Sequence, residues 1–217
     1  MSNEKAEKIA NILKEKYGPV AILLHGSRAV GKERAHSDWD ILMLFDGDIP
    51  RRGYRESIED EDVEWKAFKI PAAADSMVDI FGMYLQFAKV LWEEDGAGSV
   101  ILENASAAYS KGPQLSPDDI RCEKKFLMHK LLGMQDDVDT PHMFLRHLGV
   151  FFSRASNLWF EVLHNEFSRR FYLAIPEIKA RDPEYGEHLN VLPSNSSNEE
   201  KIEAAGWIVQ SLFGDRL

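Results

Sequence analysis

Two short stretches near the N-terminus hold the residue types that could do chemistry. One apolar run ends at Gly26-Ser27, and a second opens with Asp38 and Asp40, which are separated by a single residue. In a strand, residues i and i+2 point to the same face, about 6.6–7 Å apart. Two carboxylates aimed at one point repel each other unless a positive charge lies between them. Because Mg²⁺ takes carboxylate and phosphate oxygens, the two stretches predict a metal–nucleotide site.

Such a site needs elements that position it, and the first half of the chain predicts them. The short helix after Gly26-Ser27 would turn its first N–H groups toward the strand tip and offer them to an anion. Period-2 and period-3.6 apolar patterns and the Gly and Pro breaks predict helices over 3–17, 28–33 and 75–85, and strands over 20–25, 39–45, 63–70 and 89–92.

The second half of the chain lacks strand signals. Its apolar periodicity predicts helices over 99–110, 117–135, 140–168, 170–181 and 199–213. We therefore predict an α+β protein in which a small mixed β-sheet with helices is followed by an all-α helical bundle. The predicted domains are 1–96, carrying the site, and 97–217, the helical domain.

Composition narrows the class of protein. The chain has 217 residues, 44% of them hydrophobic, and a net charge of −10. Neither half is basic, which argues against a long nucleic acid as partner. No apolar run approaches the roughly 20 residues that span a bilayer, and the N-terminus lacks a signal-peptide pattern. The single Cys122 excludes an internal disulfide and a cysteine-based zinc cluster. We expect a cytoplasmic protein without membrane partners.

The pattern of an apolar run, Gly26-Ser27, ten residues and Asp38-x-Asp40 resembles the nucleotidyltransferase superfamily related to DNA polymerase β. The sequence around this pattern resembles that of the small two-domain enzymes that modify kanamycin, lincosamides or streptomycin. These enzymes carry a C-terminal helical domain, which the change to predicted helices after residue 96 also resembles. The motif covers under a tenth of the chain, whereas the layout extends over most of it.

The resemblance implies roles for the motif residues. Asp38, Asp40 and a third carboxylate would bind Mg²⁺ in a two-metal site. Gly26, Ser27, Arg28 and Ser37 would bind the nucleoside triphosphate, because a glycine turn approaches phosphate closely and the serine offers a hydroxyl and an N–H group. For Arg28, a surface salt bridge is the alternative interpretation.

The third carboxylate is open from sequence. Glu64 begins an alternating strand and is the first candidate, either as the base that takes the acceptor's proton or as the ligand that completes the second metal site. The alternative interpretation is that Glu64 only pairs with Lys66 or water at the sheet edge. Asp62 has the same parity, and Glu61 lies in the preceding loop. A base could instead come from the helical half, at Glu161 or Glu166.

The segment 46–62 is predicted to be a polar loop. It contains Arg51, Arg52 and Arg55, which could close over pyrophosphate, although a solvated loop is the preferred interpretation.

The expected function is transfer of a nucleoside monophosphate, AMP from ATP, to a hydroxyl of a small molecule with release of pyrophosphate. The helical half would choose the acceptor, and the protein would be a monomer or a homodimer. The alternatives are an antitoxin-like adenylyltransferase that modifies a partner protein, and a nucleotide-binding regulatory module without full catalytic competence.

Overall fold

The computed structural model describes residues 3–50, 53–70 and 85–214. It divides the chain into two compact units, Met1–Ser110 and Lys111–Leu217. Apart from its last residue, the helix predicted over 75–85 lies outside the described residues, as do Arg51 and Arg52.

The first unit follows the predicted order of helices and strands. The N-terminal helix and four strands match the prediction to within two residues at each end. Its elements are α1 (Asn3–Tyr17), β1 (Ala21–His25), α2 (Gly26–Ala29), β2 (Trp39–Phe45), β3 (Gly53–Ile58), β4 (Glu61–Lys69), β5 (Lys89–Glu93) and α3 (Ala97–Lys111).

The strands form one mixed sheet in the order β3-β4-β2-β1-β5. β2 and β4 are parallel, and the other pairs are antiparallel. The central strands β1 and β2 are almost entirely buried, as the near-continuous apolar runs of their sequences predict.

Each face of the sheet has its own apolar cluster. On one face, Trp39, Ile41 and Met43 pack with Ile9 and Leu13 of α1. On the other face, residues of β1 and β2 pack with α3; this cluster includes Leu23, Leu42, Leu44, Ile101 and Ala105. Because strand residues alternate between faces, Asp38 and Asp40 share the second face with Leu42.

Strand β3 corrects the prediction of a loop over 46–62. It is an outer strand that pairs only with β4 among the described strands, and Ile58 is its one buried residue. Charged side chains are typical of outer strands, which must avoid pairing with other chains. The turn to β4 is made by Glu59 and Asp60, both with positive φ (51° and 62°). Such turns usually contain Asn-Gly or Asp-Gly, so the sequence signal was missing.

Helix α2 is shorter and earlier than the predicted helix over 28–33. It ends at Ala29, and Gly31 adopts a positive φ of 66°. The N–H of Lys32 donates to the carbonyl of Ser27 at 2.9 Å. A glycine in the left-handed region followed by such a bond is a common helix ending, which leaves residues 30–38 as a loop.

The second unit is helical, as predicted. Its elements are α4 (Pro117–Asp136), α5 (Pro141–Leu158), a π-helical turn (Trp159–Leu163), α6 (Phe171–Arg181), α7 (Pro183–Val191) and α8 (Asn198–Phe213). Buried aromatic side chains such as Phe144, Phe151 and Trp159 form its core. Helix α7 was missed because Pro183 was interpreted as a break, whereas it occupies the first turn and Asp182 accepts the N–H of Tyr185 at 3.0 Å.

The division between the units falls after Ser110 rather than at the predicted 96/97 boundary. Helix α3 accounts for the difference, because Ile101 and Ala105 pack on the sheet with Leu23. Among the described helices, none combines the length and the apolar character that crossing a membrane requires.

Candidate functional site

Asp38 and Asp40 lie where the loop 30–38 enters β2. Asp38 comes directly before the strand, and Asp40 is its second residue. Between and after them, Trp39 and Ile41 are buried on the α1 side. The two carboxylates are therefore directed to the opposite face, as the i, i+2 spacing predicts.

The pairing of β2 with β4 brings Glu64 next to these residues. In this parallel pair Asp40 lies opposite Glu64, and Trp39 lies opposite Val63. Paired residues on neighbouring strands about 4.8 Å apart share a face. Val63 is fully buried with Trp39 on the α1 side, so Glu64 faces the same side as Asp40. Its side chain is 37% exposed.

Gly26 is in direct contact with Asp40. Its φ is 77°, and a Cβ at this position would lie 1.9 Å from Oδ2 of Asp40. Neighbouring His25, paired with Asp40 in the sheet, is buried. A glycine is therefore required at this position for a second reason, besides the close approach of a phosphate. Only a residue without a side chain lets Asp40 lie against the turn.

Arg28 holds the loop that carries Asp38. Its Nε donates to the carbonyl of Asp38 at 3.0 Å and its Nη2 to the carbonyl of Ser37 at 2.6 Å. The guanidinium stacks over the Trp39 ring at 4.5 Å and lies 3.5 Å from Glu61. With a side chain only 13% exposed, Arg28 is placed to fix the backbone before β2.

Of the two serines of the predicted nucleotide site, Ser27 lies in the helix before this loop and Ser37 near the end of the loop. Ser27 is in α2, and its carbonyl accepts the N–H of Lys32. The hydroxyl of Ser37 accepts the N–H of Arg34 at 2.8 Å. Ser37 therefore closes a turn in the loop, and its carbonyl is bound by Arg28.

Arg55, on β3, contacts three carboxylates of this face. Its Nη2 donates to Oδ2 of Asp38 and lies 3.7 Å from Oε2 of Glu64, and its Nε lies 3.3 Å from Oδ1 of Asp62. The hydrogen bond to Asp38, and then the charge of Asp62, raise the pKa of Arg55. Lys66 lies 3.6 Å from the other oxygen of Glu64. Sequence reasoning missed this cluster because it depends on the register of β3.

The donor set fits a divalent cation in residue type and in strand position. Asp38, Asp40 and Glu64 supply carboxylate oxygens from one face of two paired strands, the ligands that Mg²⁺ prefers. The carboxylates of Asp38 and Glu64 are turned toward Arg55, and that of Glu64 also lies near Lys66. Within the described ranges, no three His, Cys, Asp or Glu side chains are gathered closely enough to hold a metal.

The other candidates for the third carboxylate have different surroundings. Glu61 belongs to β4 rather than to the preceding loop, and it binds Lys5 and the Trp39 indole on the α1 side. Asp62 lies on the site face but is 57% exposed and pairs with Arg55.

The two acids of the helical unit are engaged in ion pairs within that unit. Glu161 pairs with Arg154 at 2.9 Å. Glu166 pairs with Arg169 at 2.8 Å and Arg181 at 3.0 Å. The hydrogen bond from Arg181 lowers the pKa of Glu166, which makes this carboxylate a weaker base.

Comparisons with known proteins agree with this architecture. Residues 7–92 match the family model described as "Polymerase beta, Nucleotidyltransferase", which covers less than half of the chain. The matched range contains the Gly26 turn, both aspartates and Glu64. It supports a nucleotidyltransferase domain of the polymerase β superfamily.

One solved structure is similar over nearly the whole chain. The nucleotidyltransferase-like protein from Exiguobacterium sibiricum 255-15 has a TM-score of 0.52 to this chain, with 8% sequence identity. The similarity covers 98% of this chain and 75% of that one. At such low identity it is a likeness of fold alone. Curated proteins give no match by sequence.

Proposed function

We propose that this protein is a Mg²⁺-dependent nucleotidyltransferase that moves AMP from ATP to a hydroxyl of a small molecule and releases pyrophosphate. The family match over residues 7–92 supports nucleotidyl transfer in general. The metal-dependent part of the proposal rests on the register that aligns Asp40 with Glu64 and on the Gly26 turn built against Asp40.

Asp38, Asp40 and Glu64 would hold the cation. When bound there, Mg²⁺ would neutralise the charge that develops on the triphosphate as pyrophosphate leaves, and a second ion would lower the pKa of the acceptor hydroxyl. The chain's own residues would carry out the remaining steps of the proposed reaction.

Each of those residues has a defined task. Gly26 leaves space for Asp40 and for a phosphate beside the turn. Ser27 offers its hydroxyl and N–H to that phosphate. Arg28 keeps the backbone at Ser37 and Asp38 in place. Glu64 takes the proton from the attacking hydroxyl as a general base.

The net charge of −10 favours a cationic acceptor, because negative clefts concentrate positive ligands. Aminoglycoside-like and lincosamide-like amines are therefore the first acceptors to test. The four nucleoside triphosphates should be tested against each acceptor, with pyrophosphate release as the readout.

The proposal requires turnover to depend on the acids at the start of β2. Asp38→Asn and Asp40→Asn should each reduce pyrophosphate release by about 10² or more, since removal of a single electrostatic catalytic group typically costs this much. Asp46→Asn, exposed directly after the far end of the same strand, is the matched control and should keep wild-type turnover. Equal activity in all three variants would exclude the assigned site.

Glu64→Gln tests the base separately. A general base contributes typically about 10²–10⁴-fold, so turnover should fall at least 10²-fold while ATP binding persists. Asp62→Asn, one pair earlier on the same face, should have a much smaller effect. If Asp62→Asn is the more damaging change, the third carboxylate is Asp62.

A nucleotide-binding module is the second candidate, and one observation favours it. Asp38 and Glu64 are both in contact with Arg55, an arrangement compatible with a site that does not load metal for turnover. If ATP binds but no tested acceptor supports pyrophosphate release, the second function is established.

A further inference from the structure

Arg55 has no task in the proposed reaction, but its position suggests one. Arg55 lies opposite Glu64 in the β3–β4 pair, so its side chain shares the site face. Three carboxylates, those of Asp38, Asp62 and Glu64, surround its guanidinium. Two of the three are proposed metal ligands.

Among the described residues, this face carries the basic side chains of Arg55 and Lys66 and the acidic side chains of Asp38, Asp40, Asp62 and Glu64. Lys66 joins Arg55 as a positive partner of Glu64. Carboxylates crowded on one surface repel each other unless a positive charge compensates them. Arg55 provides that charge within the folded chain.

An isolated exposed ion pair would carry little weight, because such pairs contribute between nothing and about a fivefold change in an equilibrium. Arg55 differs in that its five donors form a planar fork that meets carboxylates from two elements at once, the loop before β2 and strand β4. Its side chain is 56% exposed, so it can leave the carboxylates without crossing a packed core.

We infer that Arg55 is the counter-ion that Asp38 and Glu64 keep while no divalent cation is bound, and that a cation displaces it. This rests on the proposed function, which assigns these carboxylates to the metal. In the displaced state the guanidinium returns to solvent at the rim of the same face. Metal binding therefore exchanges one protein charge for the double charge of the ion.

The test is cation affinity, measured without nucleotide or acceptor. Mn²⁺ binding to the full-length protein is followed by the loss of the free-ion electron paramagnetic resonance signal. Arg55→Gln should bind Mn²⁺ about fivefold more tightly than wild type, as expected when a competing ion pair is removed. Arg55→Lys, which keeps the charge but not the fork, should bind Mn²⁺ with an affinity between those of wild type and Arg55→Gln. Arg121→Gln, which breaks an exposed i,i+3 pair with Asp118 on α4, is the matched control and should bind like wild type.

A second readout excludes a general effect on the fold. Without metal, Arg55→Gln should melt at a lower temperature than wild type, and Mn²⁺ should raise its melting temperature by more than it raises that of wild type, because ligand binding to the native state adds stability by mass action. Asp40→Asn in the same background should remove the Mn²⁺ response.

Unchanged or weaker Mn²⁺ affinity in Arg55→Gln would overturn the inference, as would absence of Mn²⁺ binding in every variant. The proposed function fails independently: if Arg55→Gln binds Mn²⁺ more tightly but no acceptor supports pyrophosphate release, the counter-ion role stands and nucleotidyl transfer does not.

Discussion

At the scale of single residues, Gly26 is constrained by its backbone and by its neighbour at the same time. Its φ of 77° is one that L side chains rarely adopt, and the space that a Cβ would need is taken by the Asp40 carboxylate. Gly31, five residues later, has a similar φ of 66° but open space around it. Comparing Gly26 with Gly31 therefore separates the effect of backbone strain from the effect of a steric collision with Asp40.

Gly26→Ala should destabilise the first unit by about 2 kcal/mol or more and reduce turnover at least 10-fold, because strained φ costs about 1–3 kcal/mol and Asp40 must also move. Gly31→Ala carries the strain alone and should lose about 1 kcal/mol with turnover unchanged. Urea unfolding and pyrophosphate release measure the two effects. Equal turnover in both variants would show that the contact with Asp40 is unimportant.

Arg28 allows two functions to be separated, phosphate binding and loop positioning. In the structure its guanidinium binds the carbonyls of Ser37 and Asp38. If its task is positioning, Arg28→Gln should lower kcat by about 10- to 100-fold, since a shift of roughly 1 Å at a reacting group costs this much, and leave the KM for ATP within about threefold.

Phosphate binding by Arg28 predicts the reverse pattern, with KM raised and kcat little changed. Arg28→Lys retains the charge but cannot bind both carbonyls with a rigid fork. Positioning therefore predicts that lysine rescues little, whereas phosphate binding predicts substantial rescue.

At the scale of elements, Glu56 connects β3 to α1 and to β4. Its carboxylate accepts hydrogen bonds from Lys16, from the Tyr17 hydroxyl at 3.1 Å and from the Trp65 indole at 2.7 Å. Partial burial would raise the pKa of Glu56, but these bonds outweigh it and hold the pKa below 4.5. The folded state therefore favours the charged carboxylate.

Because the folded pKa is lowered, this stability is present above the unfolded value of about 4.5 and is lost as pH falls through the lower folded value. Glu56→Gln should cost about 1–3 kcal/mol near neutral pH, the usual range for a hydrogen bond to a charged group. The difference from wild type should shrink as the pH is lowered below 4.5. Glu15→Gln, exposed on α1, is the control, and urea midpoints measure the result.

Secondary structure was predictable wherever apolar periodicity was strong. β1 and β2 could be identified from their sequences because both faces are buried. β3 could not, because a charged outer strand lacks the period-2 apolar signal and its turn at Glu59-Asp60 contains no glycine. The same reason hid Arg55, whose contact with Asp38 arises from strand register rather than from local sequence.

The candidate site shows a similar division. Asp38 and Asp40 on one face follow from i, i+2 spacing, and the alternation of β4 suggested Glu64. The contact of Gly26 with Asp40 requires the three-dimensional turn, and the partners of Arg28 are backbone carbonyls. Neither the contact of Gly26 nor the partners of Arg28 can be identified from a pattern of residue types.

At the scale of the whole molecule, α3 belongs to the sheet-containing unit. Ile101 and Ala105 cover Leu23, Leu42 and Leu44, so an N-terminal fragment that ends before α3 would expose this apolar face to water. Burial of such surface is the main source of folding free energy.

A fragment of residues 1–110 should therefore unfold cooperatively in urea, whereas residues 1–96 should aggregate or show no cooperative transition. Circular dichroism and size-exclusion chromatography distinguish these outcomes. If both fragments unfold with the same midpoint, the boundary at 96/97 is the better description of the domain.

The outer position of β3 has a consequence for how the protein behaves in a test tube. Its two charged residues, Arg55 and Glu56, discourage other chains from adding a strand to this side of the sheet. Variants that neutralise these charges to probe the site also remove gatekeepers against aggregation. Solubility at high protein concentration should therefore fall in the order wild type, either single glutamine variant, and the double variant, and this sets the concentration at which each can be assayed.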